Sequence, residues 1–293
     1  MHKAGFVNIV GNPNVGKSTL MNQLVGEKLS IATFKAQTTR HRIMGIVNTE
    51  DTQIVFSDTP GVLKPNYKMQ EMMLQFSESA LADADILLYV TDVVEDPEKN
   101  MDFLEKVSKM SIPVILLINK IDESDQKTLG NLVTKWHGLL PNAEILPISA
   151  KNKFGVDILL KRIHELLPES PAFFDKDQLT DKPAKFFVSE IIREKILRYY
   201  DKEIPYSVEV VVERFKEDDR QIHINAVIYV ERSSQKGIII GHQGMALKKV
   251  STEARKSLER FFDKKIFLET FVKVDKDWRN SQKELGNFGY NPK

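Results

Sequence analysis

The chain has 293 residues, 42% of them hydrophobic, with 42 Lys and Arg against 41 Asp and Glu and a formal net charge of +1. That length exceeds what one hydrophobic core usually serves, so two domains are expected; the absence of cysteine excludes disulfides and thiolate metal sites and fits a reducing cytosol. No charged-then-apolar leader precedes the first predicted strand and no apolar run reaches spanning length, so a soluble, cytoplasmic protein is expected.

The apolar run Phe6 to Val10 predicts a strand over 5–10, and Gly11-Asn12-Pro13-Asn14-Val15-Gly16-Lys17-Ser18 follows, ahead of the helical pattern Leu20, Met21, Leu24. This is a phosphate loop. Gly11 and Gly16 let the main chain turn tightly enough for successive N–H groups to surround a phosphate, and the following helix points its positive end there. The cradle runs from Gly11 through Asn12, Asn14, Val15 and Gly16 to Thr19, with Lys17 reaching the β- and γ-phosphates and the Ser18 hydroxyl placed to ligate Mg²⁺.

Residues 43–48 predict a strand antiparallel to the next, because the connection is too short for a helical crossover. The strand over 54–57 runs into Asp58-Thr59-Pro60-Gly61, where the Asp58 carboxylate can hold a Mg²⁺-bound water and the Gly61 N–H can meet the γ-phosphate. Val62 stands where many Ras-like enzymes carry the Gln that orients the attacking water. Valine cannot do so, which predicts slow intrinsic hydrolysis with the water positioned by backbone groups and switch loops.

After a strand over 86–91, the buried-type strand Val114 to Ile118 ends at Asn119-Lys120-Ile121-Asp122. The Asp122 carboxylate can accept from the ring N–H and the exocyclic amine of guanine, a donor pair that adenine lacks. A strand over 145–149 delivers Ser149-Ala150-Lys151, whose backbone N–H groups can meet the guanine oxygen. Strands alternating with helical stretches imply an α/β domain with a mostly parallel sheet and helices on both faces. Its last helical pattern stops at Pro168-Glu169-Ser170-Pro171, and irregular polar sequence continues to Pro183, so 1–167 reads as a GTP-binding domain, 168–183 as a linker and 184–293 as a second domain.

In that smaller α+β domain a helix over 189–197 precedes strands over 207–212 and 222–230. A short helix through Ile238-Ile239-Ile240 then meets Gly241-His242-Gln243-Gly244, and a final strand spans 266–274. Leu247, Val250, Ala254, Leu258 and Phe261 recur every three or four residues as a core stripe, while Lys248, Lys249, Arg255, Lys256 and Arg260 occupy other faces. Residues 231–293 carry 14 Lys and Arg against 8 Asp and Glu, which points to a polyanionic partner for that tail. On its own Gly241-His242-Gln243-Gly244 reads as a turn, here joining an apolar turn of helix to a basic amphipathic helix. Trp136 and Trp278 read as partial core, with Trp278 also a candidate base platform, and His41 reads as a loop histidine.

The ordered motifs resemble the translation-factor-related GTPases, and Lys35-Ala36-Gln37-Thr38-Thr39-Arg40-His41-Arg42-Ile43 narrows the resemblance to the Era family. Asp177-Gln178-Leu179-Thr180-Asp181, Ser234 to Gly241 and a Gly-Tyr near the terminus extend it over nearly the whole chain. The resemblance implies that residues 30–45 form a first switch in which Thr39, with Thr38 as the alternative, contacts Mg²⁺ and the γ-phosphate, so Lys17, Thr39 and Gly61 are the expected catalytic set. It implies a type II-like KH domain that binds single-stranded RNA, in which Gly241 and Gly244 let a sugar-phosphate backbone approach and Ile239 and Ile240 give a floor for splayed bases; His242-Gln243 stands where KH loops often carry Lys or Arg, which passes the phosphate contact to Lys236, Lys248 and Lys249. It also implies the small ribosomal subunit and the 3′ end of its RNA as partners in assembly and maturation, and peripheral association with the inner membrane face. A potassium ion seated by Asn14 is a further implication, set against Asn14 simply adopting a turn conformation. A monomer is expected. The competing reading is an RNA-binding assembly factor or chaperone with structural, uncleaved GTP; a membrane-remodelling GTPase is disfavoured by the lack of long helical assembly segments.

Overall fold

The computed structural model describes residues 1–291, which divide into two compact units, residues 1–66 with 70–181 and residues 67–69 with 182–291. The first carries β1 (Lys3–Gly11), α1 (Lys17–Val25), β2 (Ile43–Asn48), β3 (Thr52–Asp58), α2 (Lys68–Ala82), β4 (Ile86–Asp92), α3 (Met101–Ser108), β5 (Val114–Asn119), α4 (Gln126–Leu139), β6 (Glu144–Pro147) and α5 (Val156–Leu166), α2 beginning at the short segment that clusters with the other unit. Its six-stranded sheet has the order β2-β3-β1-β4-β5-β6, with β2 antiparallel to β3 and every other pair parallel.

The apolar runs become central strands because both of their faces are covered: β3 and β4 are buried at all positions. Leu87 and Tyr89 of β4 with Leu116 and Ile118 of β5 pack against α3, Trp136 of α4 and Ala80 of α2, and the alternate side chains face the opposite layer. Local signals set the helix ends. Asp125 caps α4 by accepting from the Lys127 and Thr128 N–H groups, an interaction of about 1 kcal/mol, and Gly26 closes α1 in the left-handed region with its N–H on Asn22 O. The chain leaves β1 toward β3 on one side and β4 on the other, which opens a crevice at the carboxyl ends of the strands.

The segment read from the sequence as a linker over 168–183 is not a free tether. Through Asp181 it belongs to the first unit, so the boundary lies between Asp181 and Lys182. The Gln53 amide accepts from the Phe173 and Phe174 N–H groups and donates to Phe174 O, Lys176 Nζ donates to Thr49 O (2.7 Å), and Ile46 N–H donates to Leu179 O (2.8 Å). Phe173 packs on Phe6 with ring centroids 4.8 Å apart. The prolines stop the helix as expected, but the polar residues after them find backbone partners more than a hundred positions away.

The second unit carries α6 (Ala184–Tyr199), β7 (Val208–Glu217), β8 (Gln221–Val230), α7 (Ser233–Ile240), α8 (Met245–Phe262), β9 (Lys265–Val274) and α9 (Gln282–Asn287). β7 and β8 pair antiparallel with a bulge between Val212 and Arg214, and β8 and β9 pair parallel. One sheet face packs on α6, α7 and α8 through Val188, Ile192, Ile228, Ile239, Val250, Ala254 and Leu258. Phe261, placed in the core stripe by periodicity, is 42% exposed and stacks on Phe187.

Candidate nucleotide and RNA sites

At the crevice of the first unit the phosphate loop wraps an open cleft of about 380 Å³ lined by Asn14, Gly16, Ser18, Thr19, Thr39 and Gly61 among others. Lys17 is buried, and its ammonium donates to Gly11 O (3.0 Å) and Asn12 O (2.8 Å). Burial lowers its pKa to about 8, and the Asp58 and Glu95 carboxylates oppose that shift. Val15 is buried under the loop, and Asn14 sits at φ 66°, so the turn role weighed for it is the conformation it has.

Ser18 Oγ donates to Asp58 Oδ2 (2.8 Å) and lies 2.8 Å from Thr39 Oγ1, which donates to Asp58 Oδ2 at 3.2 Å. Three residues from separate segments thus converge through oxygen atoms alone. Thr38 turns its hydroxyl back into the loop, onto Lys35 O and Thr33, so Thr39 is the threonine at this centre. Asp58 Oδ1 and the neighbouring Ser30 hydroxyl are both buried without a well-formed hydrogen bond, and burial raises the carboxyl pKa against the Lys17 charge and the Ser18, Ser30 and Thr39 hydroxyls. An oxygen-only cluster with one orphaned carboxylate oxygen suits a hard cation such as Mg²⁺.

Gly61 is forced by proximity: a Cβ there would lie 2.7 Å from Pro13 Cα and N. Val62 points into the core, 4% exposed, and donates its N–H to Gly11 O (3.0 Å). His41 packs edge-on against Phe76, as a loop residue.

The base-reading segments meet at the ends of β5 and β6. Asn119 is buried and does not face solvent; its Nδ2 donates to Val15 O (2.8 Å) and its Oδ1 accepts from Ala150 N–H (2.9 Å). Lys120, at φ 62°, donates to Asn14 O (2.7 Å) and pairs with Asp92. Asp122 is exposed, with Oδ1 accepting from Ser149 Oγ (2.6 Å). One expectation changes. Ser149 N–H is committed to Phe154 O and Ala150 N–H to Asn119, so of the Ser149-Ala150-Lys151 amides the one left for the guanine oxygen is that of Lys151. Asp92 was not anticipated, although it stands opposite Asn119 in register at the end of a buried strand, where a carboxylate needs a partner.

In the second unit, α7 ends at Gly241, His242 and Gln243 are exposed, and Gly244 at φ 77° starts α8. Lys248 and Lys249 are exposed and Lys236 half-buried, so the predicted cations flank the loop; Lys249 Nζ lies 4.6 Å from the Tyr199 ring centroid. The apolar floor differs from expectation. Ile239 is 0% exposed and belongs to the core, and Ile240 is partly buried against it, so neither forms an open floor. Ile238 and Met245, 49% and 60% exposed, are the apolar side chains beside the glycines. Trp278 is wholly buried with Nε1 donating to Ser207 O (3.3 Å), which removes it as a base platform, and Tyr290 donates to the buried Glu209 (2.7 Å).

Known proteins carry both arrangements. A family model described as a 50S ribosome-binding GTPase matches residues 6–120, and one described as a KH domain matches 203–279. The GTPase Era of Clostridium kluyveri is 44% identical over 99% of this chain and all of its own, and that of Geobacter sp. is 46% identical over 98% of each. Among solved structures, Era in complex with MgGDPNP and nucleotides 1506–1542 of 16S ribosomal RNA superposes with a TM-score of 0.94 at 37% identity over 99% of each chain. An alanine variant of Aquifex aeolicus Era bound to GDP and AlF4⁻ also has a TM-score of 0.94, at 38% identity over 98% of this chain and 99% of that one.

Proposed function

Since the chain belongs to the GTPase Era family, we propose that it binds and hydrolyses GTP in the first unit and binds the 3′ end of small-subunit ribosomal RNA through the second. The observation that carries the first half is the convergence of Lys17, Ser18 and Thr39 on one cleft, with Asp58 bonded to Ser18 and Thr39 behind it and Lys120 of the guanine-reading segment on the same lining. Ser18, Thr39 and Asp58 would hold Mg²⁺, which when bound supplies positive charge at the phosphate oxygens. Lys17 binds the same oxygens from the loop side, its ammonium moving from carbonyls that it already contacts. Gly61 presents its N–H to the terminal phosphate, and buried Val62 leaves the attacking water to backbone groups, which supports slow intrinsic turnover.

For the second half, the support is the exposed Gly241-His242-Gln243-Gly244 loop with flanking lysines, together with the RNA bound by the structurally similar Era. The partner favoured is the small ribosomal subunit, since that RNA is 16S, although the GTPase family model takes its description from the 50S particle. Function as a cytoplasmic monomer follows from the same reading. Peripheral contact with the inner membrane face rests on the family resemblance alone; no helix among the described residues is long and apolar enough to cross a membrane.

Single-turnover hydrolysis with and without a 3′ rRNA fragment tests the whole. Cleavage of GTP with a rate altered by RNA is expected, whereas GTP held intact would favour the assembly factor with a structural nucleotide. Potassium seated at Asn14 predicts faster hydrolysis in potassium than in sodium buffer, and equal rates would remove that role.

A further inference from the structure

Between the phosphate loop and α3 lies a polar chain whose middle members, Asn100, Glu95 and Thr91, belong to none of the nucleotide motifs. Asn100 stands at the N-cap position of α3, yet its side chain makes no capping bond. Instead its Nδ2 donates in two other directions, to the Asn12 side-chain oxygen and to Val62 O (3.2 Å). Asn12 also lies near the Glu95 carboxylate and favours its charged form; Glu95 accepts from Thr91 Oγ1 (2.9 Å), and the Glu95 N–H is held by Asp92 Oδ1 (2.9 Å). Asp92 pairs with Lys120. One amide group therefore ties the second residue of the phosphate loop to the carbonyl of the residue after Gly61.

The Val62 N–H on Gly11 O fixes the Gly61–Val62 peptide and the side chain is set in the core, so with its carbonyl held by Asn100 the residue after Gly61 is pinned on both main-chain sides. Gly61 therefore lies between two tethers, Ser77 Oγ on Pro60 O (2.8 Å) in the peptide that carries the Gly61 N–H and Asn100 on Val62 O downstream, and releasing the second loosens the stretch that leads away from Gly61. In a site with no side chain to orient the water, misdirecting a backbone donor by a fraction of an ångström should tell on the rate far more than on ground-state binding.

We propose that Asn100 is a positioning residue for GTP hydrolysis, using its side-chain amide to lock the residues that follow Gly61 against the phosphate loop. The proposal rests on the hydrolytic reading above. N100A and N100D both remove the donor, while Asp remains as good an N-cap as Asn and so spares α3; N100S keeps one shorter donor.

Single-turnover hydrolysis at saturating GTP, GDP affinity by fluorescent-nucleotide titration and thermal midpoint are measured on the full chain. Expected are an about tenfold fall in rate for N100A and N100D, partial recovery in N100S, and GDP affinity within about twofold of the unsubstituted chain. Unsubstituted rates in N100A and N100D would overturn the proposal, as would a loss of rate matched by equal loss of GDP affinity, which marks a damaged phosphate loop instead. Absence of cleavage by the unsubstituted chain would overturn the hydrolytic reading, and the role of Asn100 with it.

Discussion

Two loops of this molecule use one backbone device for different anions. Gly16 and Gly244 both precede a helix in the left-handed region, at φ 97°, ψ 19° and φ 77°, ψ 6°, and neither supplies a side-chain cap, so the first N–H groups of α1 and α8 stay available. Their surroundings differ. A Cβ on Gly16 would lie 2.2 Å from Asn119 Nδ2, whereas one on Gly244 would meet nothing within 4 Å. The cation beside Gly16 is buried, and those beyond Gly244 are exposed. An enclosed loop with a desolvated ammonium suits one compact anion of fixed shape; an open loop with solvated lysines suits a polymer that enters from either side and varies in sequence.

The sharpest way to break this comparison is Lys17→Ala, which leaves phosphate charge facing the loop without its ammonium and should weaken GDP binding on the order of a thousandfold in calorimetry. Unchanged affinity would mean that the amides alone suffice, as in the open loop. Asp122→Asn should shift base preference from guanine to xanthine by about a hundredfold, read by competition between GDP and XDP. Retained guanine selectivity would place the base reader elsewhere. Gly244→Asp, alone or with Gly241→Asp, sets a carboxylate against incoming phosphates and should lower rRNA affinity about tenfold in filter binding while sparing RNA-free hydrolysis. The single variant is cleaner, because a Cβ on Gly241 would sit 2.6 Å from Ala246 Cβ.

The smallest effect separates buried from solvated cations by pH. Burial lowers the Lys17 pKa from 10.5 to about 8, so between those values the unfolded chain binds more protons than the native one and nucleotide-free stability rises with pH. Phosphate favours the ammonium, so binding takes up a proton and GDP affinity should fall by about fivefold between pH 7 and 9. A flat profile would show that Lys17 is already fully charged in the free protein.

The nucleotide site was legible because its parts are fixed spacings at the ends of apolar runs, and strand order then brings those ends together. Asn119 and Asp122 could be placed from β5 alone. What escaped depended on contacts distant in sequence: Asn100 lies in an irregular stretch, and nothing local says that its amide reaches Asn12. Three successive isoleucines at 238–240 share one hydrophobicity, so only packing against β8, α6 and α8 decides that Ile239 turns inward and Ile238 outward. Trp278 in a basic tail invites a surface role that burial against Ser207 removes.

The strap from Phe173 to Asp181 has a practical corollary for dissecting the protein. β2 is the last strand on its side of the sheet, and its outer rim is occupied: Met44 N–H meets Asp181 Oδ1, Met44 O accepts from Thr180 Oγ1, and Gly45 bridges Thr180. A fragment stopped at Leu167 would bare that rim as a template for pairing with another copy and should self-associate, while one carried through Asp181 keeps the rim masked and should stay dispersed.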